Sequence, residues 1–146
     1  MRRKILFVLG SYTYGGTIFS TFNMLSFLKS HYDIYILALS PYGPIKEMYD
    51  QYNKLQTSPR LKAYSNSRTG NEDSLWQRIL LVCHKIVSHL FLSFGYDISD
   101  YIFRMEAKRI AEHYSFDVVA STQEGISTRF VSLYDAPLRV AWFRSE

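Results

Sequence analysis

The segment FVLGSYTYGGT, residues 7–17, ends an apolar run at a glycine and places two adjacent glycines before the next apolar pattern. A helix that begins near Thr17 would present backbone N–H groups and a partial positive charge at its start. The two glycines, Gly15 and Gly16, would let a phosphate or another backbone approach that start closely. The segment is therefore a candidate phosphate-binding loop, and the alternative is an ordinary tight turn.

The spacing of these glycines matches neither of two well-defined phosphate motifs. Tyr12 occupies the position of the second glycine in G-x-G-x-x-G, and no lysine follows the glycine pair as it does in a Walker A loop. Tyr12 and Tyr14 lie on the same loop and are candidates for stacking on a sugar ring in an acceptor site. The loop indicates an anionic or sugar-bearing ligand without identifying it.

A second group of polar residues follows the apolar run FDVVAS, residues 116–121. Ser121 and Glu124 are candidates for binding the hydroxyl groups of an acceptor. Thr122 is expected instead to cap a helix that begins near Glu124. The four histidines lack metal-ligand spacing, so we expect no metal ion. No cofactor is expected either.

Apolar runs and helical patterns alternate along the chain. The predicted strands are residues 5–9, 33–39, 116–121 and 139–143, and the predicted helices are residues 17–29, 75–94, 98–114 and 124–133. Residues 45–52 suggest a short helix, and Gln56–Ser74 is predicted to be a loop or mobile segment. This alternation predicts a single α/β domain with a Rossmann-like, mostly parallel sheet and helices on both faces. The candidate loops then lie at the carboxyl edge of the sheet, where ligands bind in such folds.

Composition sets broader limits on the function. The chain has 146 residues and a formal net charge of +4, which favours anionic partners. Its basic residues are spread along the chain without a recognition motif, so no nucleic-acid partner is expected. The single cysteine, Cys83, suits a reducing compartment, and the apolar run at residues 5–9 is too short for a signal peptide. We therefore expect a cytoplasmic protein.

The segment Leu75–Phe94 opens a predicted helical insertion at about residues 75–114. Its apolar residues recur every three or four positions, and Arg78 and Lys85 argue against a membrane-spanning helix. Such a helix could lie in an anionic membrane interface, which would place the protein at the inner face of the membrane and suit a lipid-linked acceptor. The commoner alternative is a helix whose apolar side faces the core.

Several of these segments together resemble a known enzyme family. KILFVLGSYTYGGT, followed by a helix and DIYILAL, resembles the opening of the family 4 glycosyltransferases of GT-B fold. FDVVAS and RVAWFRSE resemble the later part of the same N-terminal domain. The motifs cover both ends of the chain and leave its centre unmatched.

The resemblance implies the acceptor-side half of a retaining hexosyltransferase in polysaccharide or glycoconjugate synthesis. A nucleotide sugar would be the donor and a glycan or lipid-linked molecule the acceptor. In this family, Gly15, Gly16 and Thr17 would lie beside the donor phosphates, and a C-terminal domain would hold most of the donor. That domain is not in this sequence, so we expect residues 1–146 to be inactive alone.

One position departs from the family pattern. Arg144 stands where the family usually has a histidine that contacts the donor sugar. A guanidinium can neutralise phosphate charge but cannot exchange a proton near neutral pH. The alternative to a catalytic role for Arg144 is a solvated strand end, and the alternative to the transferase is a non-catalytic flavodoxin-like module that binds a phosphate-bearing ligand.

Overall fold

The computed structural model describes residues 1–65 and 73–142, and within them five strands form one parallel sheet. The strands are β1 (Lys4–Ser11), β2 (Asp33–Ser40), β3 (Asn53–Lys54), β4 (Val118–Ser121) and β5 (Leu138–Ala141). The helices are α1 (Gly16–Leu28), α2 (Pro59–Tyr64), α3 (Leu75–Ser93), α4 (Ser99–His113) and α5 (Ile126–Leu133), with a 3-10 helix at Lys46–Tyr49. The predicted α/β fold with a Rossmann-like parallel sheet is confirmed.

The order of the strands across the sheet is β3-β2-β1-β4-β5. The chain therefore adds β2 and β3 on one side of β1, and then adds β4 and β5 on the other side. This is the Rossmann order, in which the change of direction between β1 and β4 opens a crevice at the carboxyl edge of the sheet. A flavodoxin-like order would be 2-1-3-4-5, so the flavodoxin-like topology of the alternative interpretation is wrong.

The continuous apolar run in β1 is buried on both faces of the sheet. Ile5, Phe7 and Leu9 belong to one cluster of core side chains, and Leu6 and Val8 belong to the other. The first cluster is completed by α1 and the 3-10 helix, and the second by α2, α4 and α5. Burial on both sides explains why this strand has no polar alternation.

The turn after β2 is hydrogen-bonded to the loop after β1. The N–H of Tyr12 donates to the Tyr42 carbonyl at 3.1 Å, and the N–H of Ile45 donates to the Tyr12 carbonyl at 3.3 Å. Gly43 lies between these bonds with a φ of +142°, and a Cβ there would overlap the Tyr12 carbonyl. The turn signal SPYGP is thus a turn whose glycine is required by both its backbone conformation and its packing.

Helix α2 lies inside the segment Gln56–Ser74, which was predicted to be a loop; that prediction is wrong for residues 59–64, and residues 66–72 lie outside the described part of the chain. The side chain of Ser58 accepts the N–H of Leu61 at 3.0 Å, and Pro59 is the first helical residue. Serine followed by proline is a helix-start signal. The sequence pattern missed it because a helix of six residues is too short to show periodicity.

The predicted insertion divides into two different helices. Helix α4 packs on the sheet through Ile102, Phe103 and Ile110, whereas Leu81 is the one buried residue of α3. The core-facing alternative for the Leu75–Phe94 helix is therefore wrong. Gly95 ends α3 as predicted, with a φ of +83° and paired N–H bonds from residues 95 and 96 to the carbonyls of Leu92 and Phe91.

Candidate functional site

A cavity of about 150 Å³ opens at the carboxyl edge of the sheet, on the side where α1 begins. Four α1 residues form one wall, and one residue after β4 and one after β5 form the rest. The lining residues are Thr17, Ser20, Thr21, Met24, Thr122 and Trp142. The cavity therefore lies between α1 and the carboxyl ends of β4 and β5. This place is beside the crevice between β1 and β4, where ligands bind in sheets of this order.

The loops on either side of the crevice are tied together by Gln123. Its side-chain Oε1 accepts the backbone N–H of Gly10 at 2.6 Å, which links the end of β1 to the β4–α5 loop. The Gln123 carbonyl accepts the hydroxyls of Ser121 and Ser127 at 2.7 and 2.8 Å. These bonds fix the loop that carries Thr122. Gln123 was not among the predicted site residues, because its one sequence signal was its place two residues after a strand end.

The same bonds correct the prediction for Ser121. Its side chain is buried, and its hydroxyl is committed to the Gln123 carbonyl and lies 3.0 Å from the Ser127 hydroxyl. Ser121 therefore shapes the loop and does not present its hydroxyl to an acceptor. Glu124 is exposed on the same loop, outside the residues that line the cavity.

Thr122 has the most informative side chain of the cavity wall. It is 5% exposed, and within the described part of the chain its Oγ1 has no hydrogen-bond partner. The predicted capping role is wrong, because Gly125 is the N-cap of α5 and no side chain caps that helix. Buried hydroxyls nearly always have a partner, so an unpaired one in a cavity-lining residue is a candidate to bind a ligand atom or water.

Replacing Thr122 with valine is expected to preserve or slightly raise stability. Valine has the same shape, and removing an unpaired buried hydroxyl changes the free energy of unfolding by about 0 to +1 kcal/mol. Thr21→Val is the matched control, since it removes a hydroxyl that donates to the Thr17 carbonyl at 2.7 Å and should cost about 1 kcal/mol. Urea unfolding of both variants measures the difference. A larger loss for Thr122→Val would show that its hydroxyl is paired within the protein.

The glycine loop leads directly into α1. Gly15 is the N-cap residue, with an extended backbone at φ 172°, and α1 begins at Gly16, one residue before the predicted start. A Cβ added to Gly15 would meet no described atom within 4 Å. A tight turn that requires glycine would need a positive φ or a close neighbour, and Gly15 has neither. Thr17 lies in the first turn of α1 and lines the cavity.

The two tyrosines of the loop have different environments. Tyr12 is buried, with its ring centre 5.3 Å from that of Tyr49. Burial, with Tyr49 and Asp50 nearby, raises the pKa of the Tyr12 phenol above its usual range. The prediction that Tyr12 stacks on a sugar is therefore wrong, because its ring is part of the core. Tyr14 is exposed, and its ring stacks on Phe19 with centres 6.4 Å apart.

A second cavity, of about 390 Å³, lies where β2 and β3 end. Its wall includes Lys46, Lys54 and Lys62, which would suit an anion. Lys54, however, forms an ion pair with Asp50, and Lys62 is held by Asp73 at 2.7 Å. The neighbouring carboxylates reduce the attraction of these two ammonium groups for an anion.

The structure thus brings Thr17 and Thr122 to one cavity, beside the Gly15–Gly16 loop, and leaves Tyr12 and Ser121 in structural roles. Arg144 lies outside the described residues. The chain matches no protein-family model, no curated protein and no solved structure. The resemblance to glycosyltransferases therefore still depends on the short sequence motifs alone.

Proposed function

We propose that this chain is the acceptor-side N-terminal domain of a retaining glycosyltransferase of GT-B type. The observation that carries the proposal is the cavity at the β1–β4 crevice, with the start of α1 on one side and the unpaired hydroxyl of Thr122 on the other. A nucleotide sugar offers the two chemical groups that this cavity suits. Its phosphates match the N–H groups at a helix start, and its sugar hydroxyls match Thr122.

In this proposal each part of the crevice has one task. The N–H groups of Gly16 and Thr17 face the donor phosphates, and Gly15 leaves the approach open. Thr122 hydrogen-bonds a sugar hydroxyl or a phosphate oxygen. The exposed rings of Tyr14 and Trp142 flank the crevice and suit the apolar face of a sugar.

Most of the donor would be held by a C-terminal domain across the crevice. Transfer requires donor and acceptor to be held together in reacting geometry, so the two domains would act as one site. The acceptor is a glycan or a lipid-linked molecule. Arg144 keeps its proposed role in neutralising donor phosphate charge, and neither a metal ion nor a cofactor is part of the proposal.

A substitution at Gly15 tests this function in the complete natural protein. Gly15→Val is expected to lower kcat/KM for a nucleotide sugar by about tenfold or more, because a branched side chain would occupy the space of the donor phosphate. Its effect on stability should be small, since a Cβ at Gly15 would lie more than 4 Å from every described atom outside its chain neighbours. The assay is release of nucleoside diphosphate in the presence of acceptor, with a thermal melt of each variant.

Asn23→Val is the control for that substitution. Asn23 is exposed on α1 and is not among the cavity residues, so this variant should retain wild-type kinetics. Wild-type kinetics for Gly15→Val would show that the glycine loop is not part of the donor site. Binding of nucleotide sugar without any release of nucleoside diphosphate would favour a non-catalytic binding module over a transferase.

A further inference from the structure

Helix α3 packs against the domain through its more polar side. Five of its residues are buried or half-buried, and all its other residues are exposed. The five are Gln77, Leu81, His84, Lys85 and Ser88, and their spacing places them on one stripe. Leu81 joins the core cluster that contains Tyr64, and the His84 ring centre is 6.1 Å from the Tyr64 ring centre.

The outward side of α3 is apolar. Its exposed side chains include Trp76, Ile79, Val82, Ile86 and Leu90, and the exposed Phe94 follows as the C-cap residue. Trp76 is 74% exposed and Phe94 is 77% exposed, so the aromatic side chains at both ends of the helix face solvent. A continuous apolar strip of this length on a surface indicates a site for an apolar partner.

The charge of α3 selects among such partners. Residues 75–93 include Arg78 and Lys85 and no aspartate or glutamate. A second copy of this chain would present the same basic residues and would not complement them. An anionic membrane surface offers negative headgroups beside an apolar layer, and aromatic rings near the helix ends suit its interface.

The contacts of α3 determine how it could meet a bilayer. By length and composition the helix is apolar enough to cross a membrane. Crossing would place His84 and Lys85 near the bilayer centre, which is costly, and would break the contact between α3 and α2. The ion pair of Lys62 with Asp73 also holds the start of α3 against the domain. A helix held in this way can lie along the surface with its apolar side in the lipid.

We infer that α3 docks this domain on the surface of an anionic bilayer, parallel to the membrane plane. The start of the helix lies at the carboxyl edge of the sheet, because Asp73 accepts the hydroxyl of Tyr42 in the turn after β2. Docking through α3 therefore brings the turn after β2, and the second cavity whose wall includes Tyr42 and Asp73, toward the lipid. The inference depends on the surface of α3 alone and holds whether or not the domain is a transferase.

Vesicle co-sedimentation tests this inference. The chain is expected to sediment with vesicles of equimolar phosphatidylcholine and phosphatidylglycerol, to bind pure phosphatidylcholine more weakly, and to lose affinity at high salt. The variant Ile86→Ser/Leu90→Ser should bind the anionic vesicles at least about tenfold more weakly, because two apolar side chains no longer enter the lipid. Its melting temperature should not fall, since both residues are exposed.

Leu138→Ser is the matched control, because Leu138 is an exposed apolar residue on β5, away from α3. It should bind vesicles like the wild type. The inference would be overturned if the wild type did not sediment with anionic vesicles. It would also be overturned if the chain self-associated without lipid and Ile86→Ser/Leu90→Ser abolished that association. A third contradictory result is vesicle binding that resists alkaline extraction, as a membrane-spanning helix would.

Discussion

Replacing Gly43 with alanine should destabilise the protein by about 3 kcal/mol or more. Gly43 has a φ of +142°, a conformation that residues with a Cβ rarely adopt, and its Cβ would overlap the Tyr12 carbonyl. Tyr12 cannot move aside easily. Its N–H and carbonyl are bonded to Tyr42 and Ile45, and its ring is buried against Tyr49. The substitution therefore strains the turn and the loop that leads to the cavity together.

Urea unfolding measures this loss, and Gly15→Ala is its control. Gly15 is extended and has no described neighbour within 4 Å of an added Cβ, so its alanine variant should lose about 1 kcal/mol at most, as expected for a helix N-cap. Equal midpoints for Gly43→Ala and the wild type would contradict the description of this turn. The pair also separates a glycine that the fold needs from one that it does not.

Replacing Asp73 with asparagine should cost about 3 to 5 kcal/mol. The Lys62 ammonium is buried, and it donates to Asp73 at 2.7 Å and to the Tyr42 hydroxyl at 2.9 Å. Burial lowers the pKa of Lys62, but the hydrogen bonds to Asp73 and Tyr42 outweigh it and raise the pKa overall. Among the residues that the structure describes, removing the carboxylate leaves this buried charge without a counter-charge.

A double variant isolates the buried charge as the cause. Lys62→Met/Asp73→Asn removes both charges and should recover much of the stability lost in Asp73→Asn. Asp50→Asn is the control, because it breaks an exposed i,i+4 pair with Lys54 and should cost less than about 1 kcal/mol. Since the pKa of Lys62 is raised, its contribution is complete at neutral pH and is lost only as the pH rises through that raised pKa. Similar small losses for both single variants would show that Lys62 is not a buried charge.

The fold was predictable because a strand that is buried on both faces must be apolar at nearly every position. The runs 5–9 and 33–39 are apolar without alternation, which suits strands buried on both faces, and a helical pattern separates them. Parallel connection then places the start of α1 and the residues after β4 at one edge. The approximate location of Thr17 and Thr122 follows from that topology alone.

The remaining details depend on contacts between distant residues. A tyrosine in a loop has the same local pattern whether it packs on a ring, as Tyr12 does on Tyr49, or faces solvent, as Tyr14 does. The bond from Gly10 to Gln123 joins residues that are 113 positions apart, so no local pattern indicates it. For α3, periodicity revealed two sides, but the polar side faces the domain, opposite to the usual arrangement.

Nuclear magnetic resonance of this chain during titration with nucleotide sugars tests the central claim most directly. The claim is that the β1–β4 crevice is the ligand site. It predicts that amide shifts change first at Gly15, Gly16, Thr17 and Thr122, and that Thr122→Val weakens this response while its spectrum stays folded. Shift changes confined to the second cavity around Lys46 and Lys54, with none at the crevice, would contradict it.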